Sequence, residues 1–169
     1  HSFSTGGLEN GVVNIINNLP KGKFQHSIIC VTDHDVEFFN RINASDVAIY
    51  NLNKPAGKGI KWLWRCWKLL RQLRPDICHT RNLSALEAQV PAFFSAIKYR
   101  VHGEHGWDIS DIGGTNVKYQ KLRRFFKPLV HQYIALSCEA KQYLIDKIKV
   151  NCWFYKVNDI HHSVQNSSR

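Results

Sequence analysis

The sequence predicts an α/β protein built on a doubly wound parallel sheet, and three observations carry that expectation. Short apolar runs (HSIICVT, DVAIYNL, DICHT, YRVHGE and QYIALS) have the β-branched bias of buried strands. Longer stretches between them repeat their apolar residues at helical spacing. The two kinds of segment alternate along 169 residues without an internal repeat or a low-complexity linker, as successive βαβ units in one domain do.

In chain order, Leu8, Val12, Ile15, Ile16 and Leu19 share one face of a first helix that Pro20 stops. Gly6 and Gly7 therefore sit at a helix N-terminus. Unpaired N–H groups and the positive dipole end can hold an anion there, and the missing side chains let it approach. An ordinary turn capped by Ser4 or Thr5 is the plainer alternative. Two strands follow, and then GKGIKWLWRCWKLLRQLRPD reads as helical up to Pro75. On it Ile60, Leu63, Trp64, Trp67 and Leu70 form the apolar face, Lys58, Lys61, Arg65 and Lys68 the opposite stripe, and Trp62 falls to the side. NLSALEAQVPAFFSAIK reads as one helix with Pro91 inside it, and NVKYQKLRRFFKPLV and CEAKQYLIDKIKV as two more. The tail from Asn151 has room for one further strand.

Composition narrows the partners. A formal net charge of +10 calls for nucleic acid, an anionic membrane or an anionic substrate. No apolar stretch approaches the ~20 residues of a membrane span, and the first residues are polar, unlike a signal peptide. The five cysteines have no paired spacing and read as reduced thiols of a cytoplasmic protein. Nine histidines show no metal-ligand spacing. Tryptophan beside lysine and arginine suits a membrane surface, and KYQKLRRFFKPL repeats the theme with Lys118, Lys121, Arg123, Arg124 and Lys127 around Phe125 and Phe126. A basic, non-enzymatic module for nucleic acid or anionic membrane is the alternative, although no helix-turn-helix, zinc or RNP signature supports nucleic acid. STGGLENG lacks the spacing of a nicotinamide-binding glycine motif.

In an open α/β sheet, ligands bind beyond the carboxyl ends of the strands. The polar residues expected there are Thr32-Asp33-His34, His79-Thr80-Arg81-Asn82, His102-Gly103-Glu104-His105 and Ser137. Such a rim suits a polyhydroxylated or phosphorylated ligand.

FSTGGLENGVVNIINNLP, DICHTRNLSALEAQVPA, RVHGEHGWDISDIGGTNVKYQKLRR and YIALS, in this order, resemble the N-terminal half of a bacterial family 4 glycosyltransferase. The similarity is to the sugar transferases associated with exopolysaccharide synthesis, and it runs from the start to about residue 150. It implies a GT-B enzyme with two Rossmann-like domains flanking a cleft. Such enzymes transfer a sugar from a nucleotide-sugar donor with retention of configuration, and no cofactor or metal is required. The N-terminal domain receives the acceptor, often lipid-linked, at the inner face of the cell membrane, which implies a cytoplasmic protein held peripherally on that surface. By the same resemblance, Gly6 and Gly7 face the donor phosphates, and His102 lines the cleft as the catalytic histidine, acting by hydrogen bonding and polarisation. Arg81, Asn82, Glu104, His105 and Asp108 fall on the acceptor side. Lys58, Lys61, Arg65 and Lys68 face the membrane.

The sequence departs from the family pattern at both ends. An apolar first strand would precede His1, HHSVQ (His161 to Gln165) stands where the family has an NGVD turn, and no donor-binding half follows. The expectation is a domain spanning residues 1–169 on the acceptor side, inactive alone.

Overall fold

A computed structural model of the chain describes residues 3–4, 6–55, 59–105 and 109–154. The chain divides into two compact units, residues 1–66 and 67–169. All described strand pairs are parallel, β1-β2 in one sheet and β3-β4-β5-β6 in another. The α/β class with a parallel, Rossmann-like arrangement is therefore what the chain forms.

In the first unit, α1 (Gly7–Asn18) leads into β1 (His26–Cys30), the short α2 (Val36–Phe39) and β2 (Val47–Asn51). Phe3 makes a parallel bridge to His34. Its N–H donates to the Asp33 carbonyl at 3.1 Å and its carbonyl accepts from Asp35 N–H at 2.8 Å. Phe3, Val13, Cys30 and Phe38 form the core of this unit. The apolar face of α1 differs from the expected one: Val13 and Ile16 are buried and Ile15 is exposed, because Val13 draws the inward arc away from Ile15.

The helix α3 (Lys61–Leu73) corrects a second expectation. Trp62, Cys66 and Leu70, one turn apart, are its buried residues, whereas Trp64 is 57% exposed. Turning Trp62 inward also brings Leu69 and Leu73, both half-buried, towards the interior, a richer face than the one centred on Trp64. The helix ends where Arg74 takes a left-handed φ of 47°, ahead of Pro75.

In the second unit, β3 (Ile77–Arg81) is followed by two short helices, α4 (Asn82–Leu86) and α5 (Gln89–Phe94), rather than one. Pro91 explains the division. It has no N–H to donate, so it is tolerated in the first turn of α5 but not within a continuous helix. Next come β4 (Tyr99–Glu104), a 3₁₀ segment (Ile109–Gly114), α6 (Val117–Phe126), β5 (Gln132–Ala135), α7 (Cys138–Tyr143) and β6 (Cys152–Phe154), the strand for which the tail had room. Ser137, at a strand end, caps α7 by accepting from Ala140 N–H at 3.0 Å. Leu83, Leu86, Phe126, Tyr133, Ala135, Leu144 and Ile148 make up most of the core.

Candidate functional site

The central strand β4 carries polar residues where an interior strand is ordinarily apolar. Arg100, His102 and Glu104 alternate along it, share one face and are all buried. Each is satisfied. Arg100 donates to the carbonyls of Leu129 and Ile97 at 2.7 and 2.8 Å and lies 2.7 Å from the His131 ring nitrogen. His102, 0% exposed, has Nδ1 2.8 Å from the Thr80 hydroxyl and Nε2 3.4 Å from Glu104 Oε1.

Gln89 Nε2 donates to Thr80 Oγ1 at 2.7 Å. With the threonine hydroxyl turned to His102 Nδ1, the imidazole carries its proton on Nε2 and presents it to Glu104. That tautomer is the one in which every donor in the row faces an acceptor. Glu104 is held from its other side by Arg123 of α6, Nε to Oε1 at 2.6 Å and Nη2 to Oε2 at 3.3 Å. Arg123 also reaches Asp111 Oδ2 at 3.4 Å, and Asp111 Oδ1 accepts from Asn116 N–H at 2.9 Å. Burial alone would raise the Glu104 pKa. The hydrogen bonds from His102 and Arg123, with the Arg123 charge, outweigh it and hold the carboxyl down to about 2.

Two expected site residues are thus placed inside the unit rather than on its rim. Glu104 is 3% exposed with both oxygens engaged, and His102 is a member of the same internal row. Thr80, Gln89, Asp111 and Arg123 complete the row. The signal that could have found Arg123 is its position beside Leu122 and Phe126, on the apolar side of a basic helix.

The rim proper lies one residue further along. Asn82 sits just past β3 with a left-handed φ of 56°, a conformation asparagine tolerates better than most residues. Its Oδ1 accepts from His105 N–H at 2.9 Å, which ties the ends of β3 and β4 together. The half-buried His105 ring lies against Gly103, where a side chain would collide with it, and its Nε2 has no hydrogen-bond partner. Burial, aided by the Arg81 guanidinium and the neighbouring imidazoles, pushes the His105 pKa down to about 3, so the ring is neutral at physiological pH. Arg81, Asn82 and His105 are brought together at this strand end. Asp108 lies outside the described residues.

In the first unit, Gly6 is the N-cap of α1 in extended backbone, without a side-chain capping bond, and Gly7 opens the helix. Nothing lies within 4 Å of where a Gly7 side chain would start, whereas the Glu9 carboxylate folds over Gly6. An anion arriving at this helix end would meet free space at Gly7 and would displace the Glu9 side chain from Gly6.

The basic stripe is only partly available. Lys61 and Lys68 are exposed, and Arg65 Nη1 donates to the carbonyls of Leu52 and Asn53 at 3.0 and 3.3 Å. Lys58 lies outside the described residues. Among the described residues no three His, Cys, Asp or Glu side chains group as a metal site needs, and no helix is long and apolar enough to cross a membrane. All five cysteines are free thiols.

Parallel strands that end in a guanidinium, an amide and a neutral imidazole give a Rossmann-like module a polar strand end. The sequence model of Glycosyltransferase Family 4 matches residues 5–152, and the chain belongs to that family. No curated protein matches the chain. Membership makes the module part of a sugar-transferring system that uses a nucleotide-sugar donor and an acceptor.

Proposed function

We propose that this is the acceptor-side domain of a retaining glycosyltransferase that moves a sugar from a nucleotide sugar to a lipid-linked or saccharide acceptor. The pathway we propose is exopolysaccharide or cell-envelope glycan synthesis at the inner face of the cell membrane. The observation that carries the reading is the strand-end group of Arg81, Asn82 and His105 in a chain of this family. The His105 imidazole is neutral, and its unpartnered Nε2, enclosed against Gly103, could accept a hydrogen bond from a sugar hydroxyl once the ring turns outward. An adjacent guanidinium supplies donors for ring oxygens or a phosphate.

In this reading His102 is not the residue that meets the sugar. It holds Glu104, and with Arg123 it fixes the strand end on which His105 is mounted. The helix end at Gly6 and Gly7 would stabilise negative charge on the departing diphosphate without a metal.

The test is an NMR titration of the 169-residue chain with oligosaccharides and short-chain polyprenyl-phosphate-linked sugars. Shifts concentrated at the Arg81, Asn82 and His105 amides, abolished by His105→Ala, are expected. Shifts confined to other strands, or an unchanged titration in the variant, would sink the reading.

A further inference from the structure

We propose that the exposed side of α3 towards its C-terminus and the end of α5 together form a docking surface for an anionic lipid bilayer. This deepens the lipid-linked reading above and rests on it. Phe94 is 67% exposed and Phe93 45%, their rings edge to face at 5.4 Å. Trp67 of α3 donates its indole N–H to the Phe94 carbonyl at 3.4 Å, so the helix and the aromatic pair are joined into one surface. The Arg71 guanidinium lies over the Trp67 ring at 5.9 Å, and Lys98 Nζ over the exposed Tyr99 at 5.0 Å.

On the same side of α3, one turn earlier, Trp64 is exposed because Trp62 took the inward position. The helix carries Lys61, Arg65, Lys68 and Arg71 and no acidic residue. A merely solvated face has no reason to gather tryptophan and paired phenylalanines along a helix whose charges are all cationic. That mixture fits the boundary between phospholipid headgroups and acyl chains, where apolar rings insert and cations meet anionic phosphates. The rings pack on one another or under cations as an apolar cluster, which suits insertion better than base stacking.

The other basic-aromatic segment, α6, is engaged elsewhere. Phe126 is buried in the core and Arg123 in its ion pair, while Arg124 and Lys127 donate to the carbonyls of Lys147 and Lys149. Phe125 is its one exposed aromatic ring, packed edge to face on the buried Phe126, which makes it an internal control.

The test is co-sedimentation of the 169-residue chain with vesicles of phosphatidylcholine alone or with added phosphatidylglycerol, at low and high salt. The parent chain should partition onto the anionic vesicles and be released by salt. Phe94→Ser should weaken partitioning about tenfold through lost apolar insertion. Lys68→Gln with Arg71→Gln should weaken it about 25-fold, at roughly fivefold per basic group. Phe125→Ser should leave it unchanged. These exposed positions leave the fold intact, which melting curves would verify.

Parent-like binding by both patch variants, or an equal loss in Phe125→Ser, would overturn this surface while leaving the lipid reading standing. A parent chain indifferent to anionic lipid would overturn the surface and the membrane reading together, with the acceptor titration still reporting on the sugar site. Binding of a short oligonucleotide lost in the same variants, without vesicle binding, would overturn the proposal in favour of nucleic acid.

Discussion

Arg123→Met tests the internal row most directly, because it removes one partner of a fully enclosed ion pair. The guanidinium is 1% exposed and meets Glu104 at 2.6 and 3.3 Å and Asp111 at 3.4 Å. Without it two carboxylates lose their shared buried cation, and breaking such a pair costs about 3–5 kcal/mol. For a unit of this size that corresponds to a melting temperature lower by roughly 15–30 °C, a large part of the ~5–15 kcal/mol a domain holds in reserve. Adding Glu104→Gln should recover part of the loss, since the orphaned charge is then gone.

The acid limb gives a second reading of the same pair. The folded Glu104 pKa is held to about 2 against an ordinary 4.5, so between those values the unfolded chain binds the extra proton. The contribution is complete above about pH 4.5 and is lost as pH falls towards 2, amounting to about 3 kcal/mol. The limb should flatten in Arg123→Met. Denaturant titrations from pH 2 to 7, with thermal melts, measure both effects. A variant that melts within a few degrees of the parent and keeps its acid limb would show that the pair does not bear on stability as argued.

Two further outcomes follow from the same geometry. Gly103→Ala places a methyl group against the His105 ring and within 3.1 Å of His79 Nε2, so the His105 ring must leave its pocket. The His105 titration midpoint should then rise from about 3 towards the ordinary ~6.5, read from its imidazole proton by NMR, and an unmoved midpoint would refute the packing. Burial pushes the Cys30 and Cys78 thiols up to about 11, while Cys138 is exposed. Alkylation at pH 8 followed by mass spectrometry should therefore label Cys138 first, and equal labelling of all three would contradict the burial.

What the sequence made legible follows the strength of the local signal. Each strand run quoted from it overlaps an observed strand, because β-branched clusters bounded by polar residues have few alternatives. The faces of α1 and α3 were harder to read. Both helices have apolar arcs wider than the side they bury, and tertiary packing decides whether Trp62 or Trp64 turns inward. The break at Pro91 was open to reasoning from its missing N–H. Arg123 was legible only through its place beside Leu122 and Phe126 on the apolar side of the helix; its burial follows from the carboxylate partners that the fold brings opposite it.

The motif His102-Gly103-Glu104-His105 shows how one run of polar residues can serve two purposes. Side chains alternate along a strand, so His102 and Glu104 belong to one face, and Gly103 with the direction taken up by His105 to the other. The parallel register sorts the neighbours in the same way. Thr80 stands opposite His102 and supplies its hydrogen bond, while Arg81 stands opposite Gly103, on the side where the His105 ring lies. Reading the motif as a single block makes His102 the exposed histidine. Reading it with period two assigns His102 to the interior row with Glu104 and Arg123. It also explains the glycine, since only a residue without a side chain leaves room there for the His105 ring. The enclosed half and the proposed ligand-facing half are then neighbouring residues at one strand end. A substitution in the first should act on stability, whereas one in the second should leave the fold intact and act on the proposed acceptor binding.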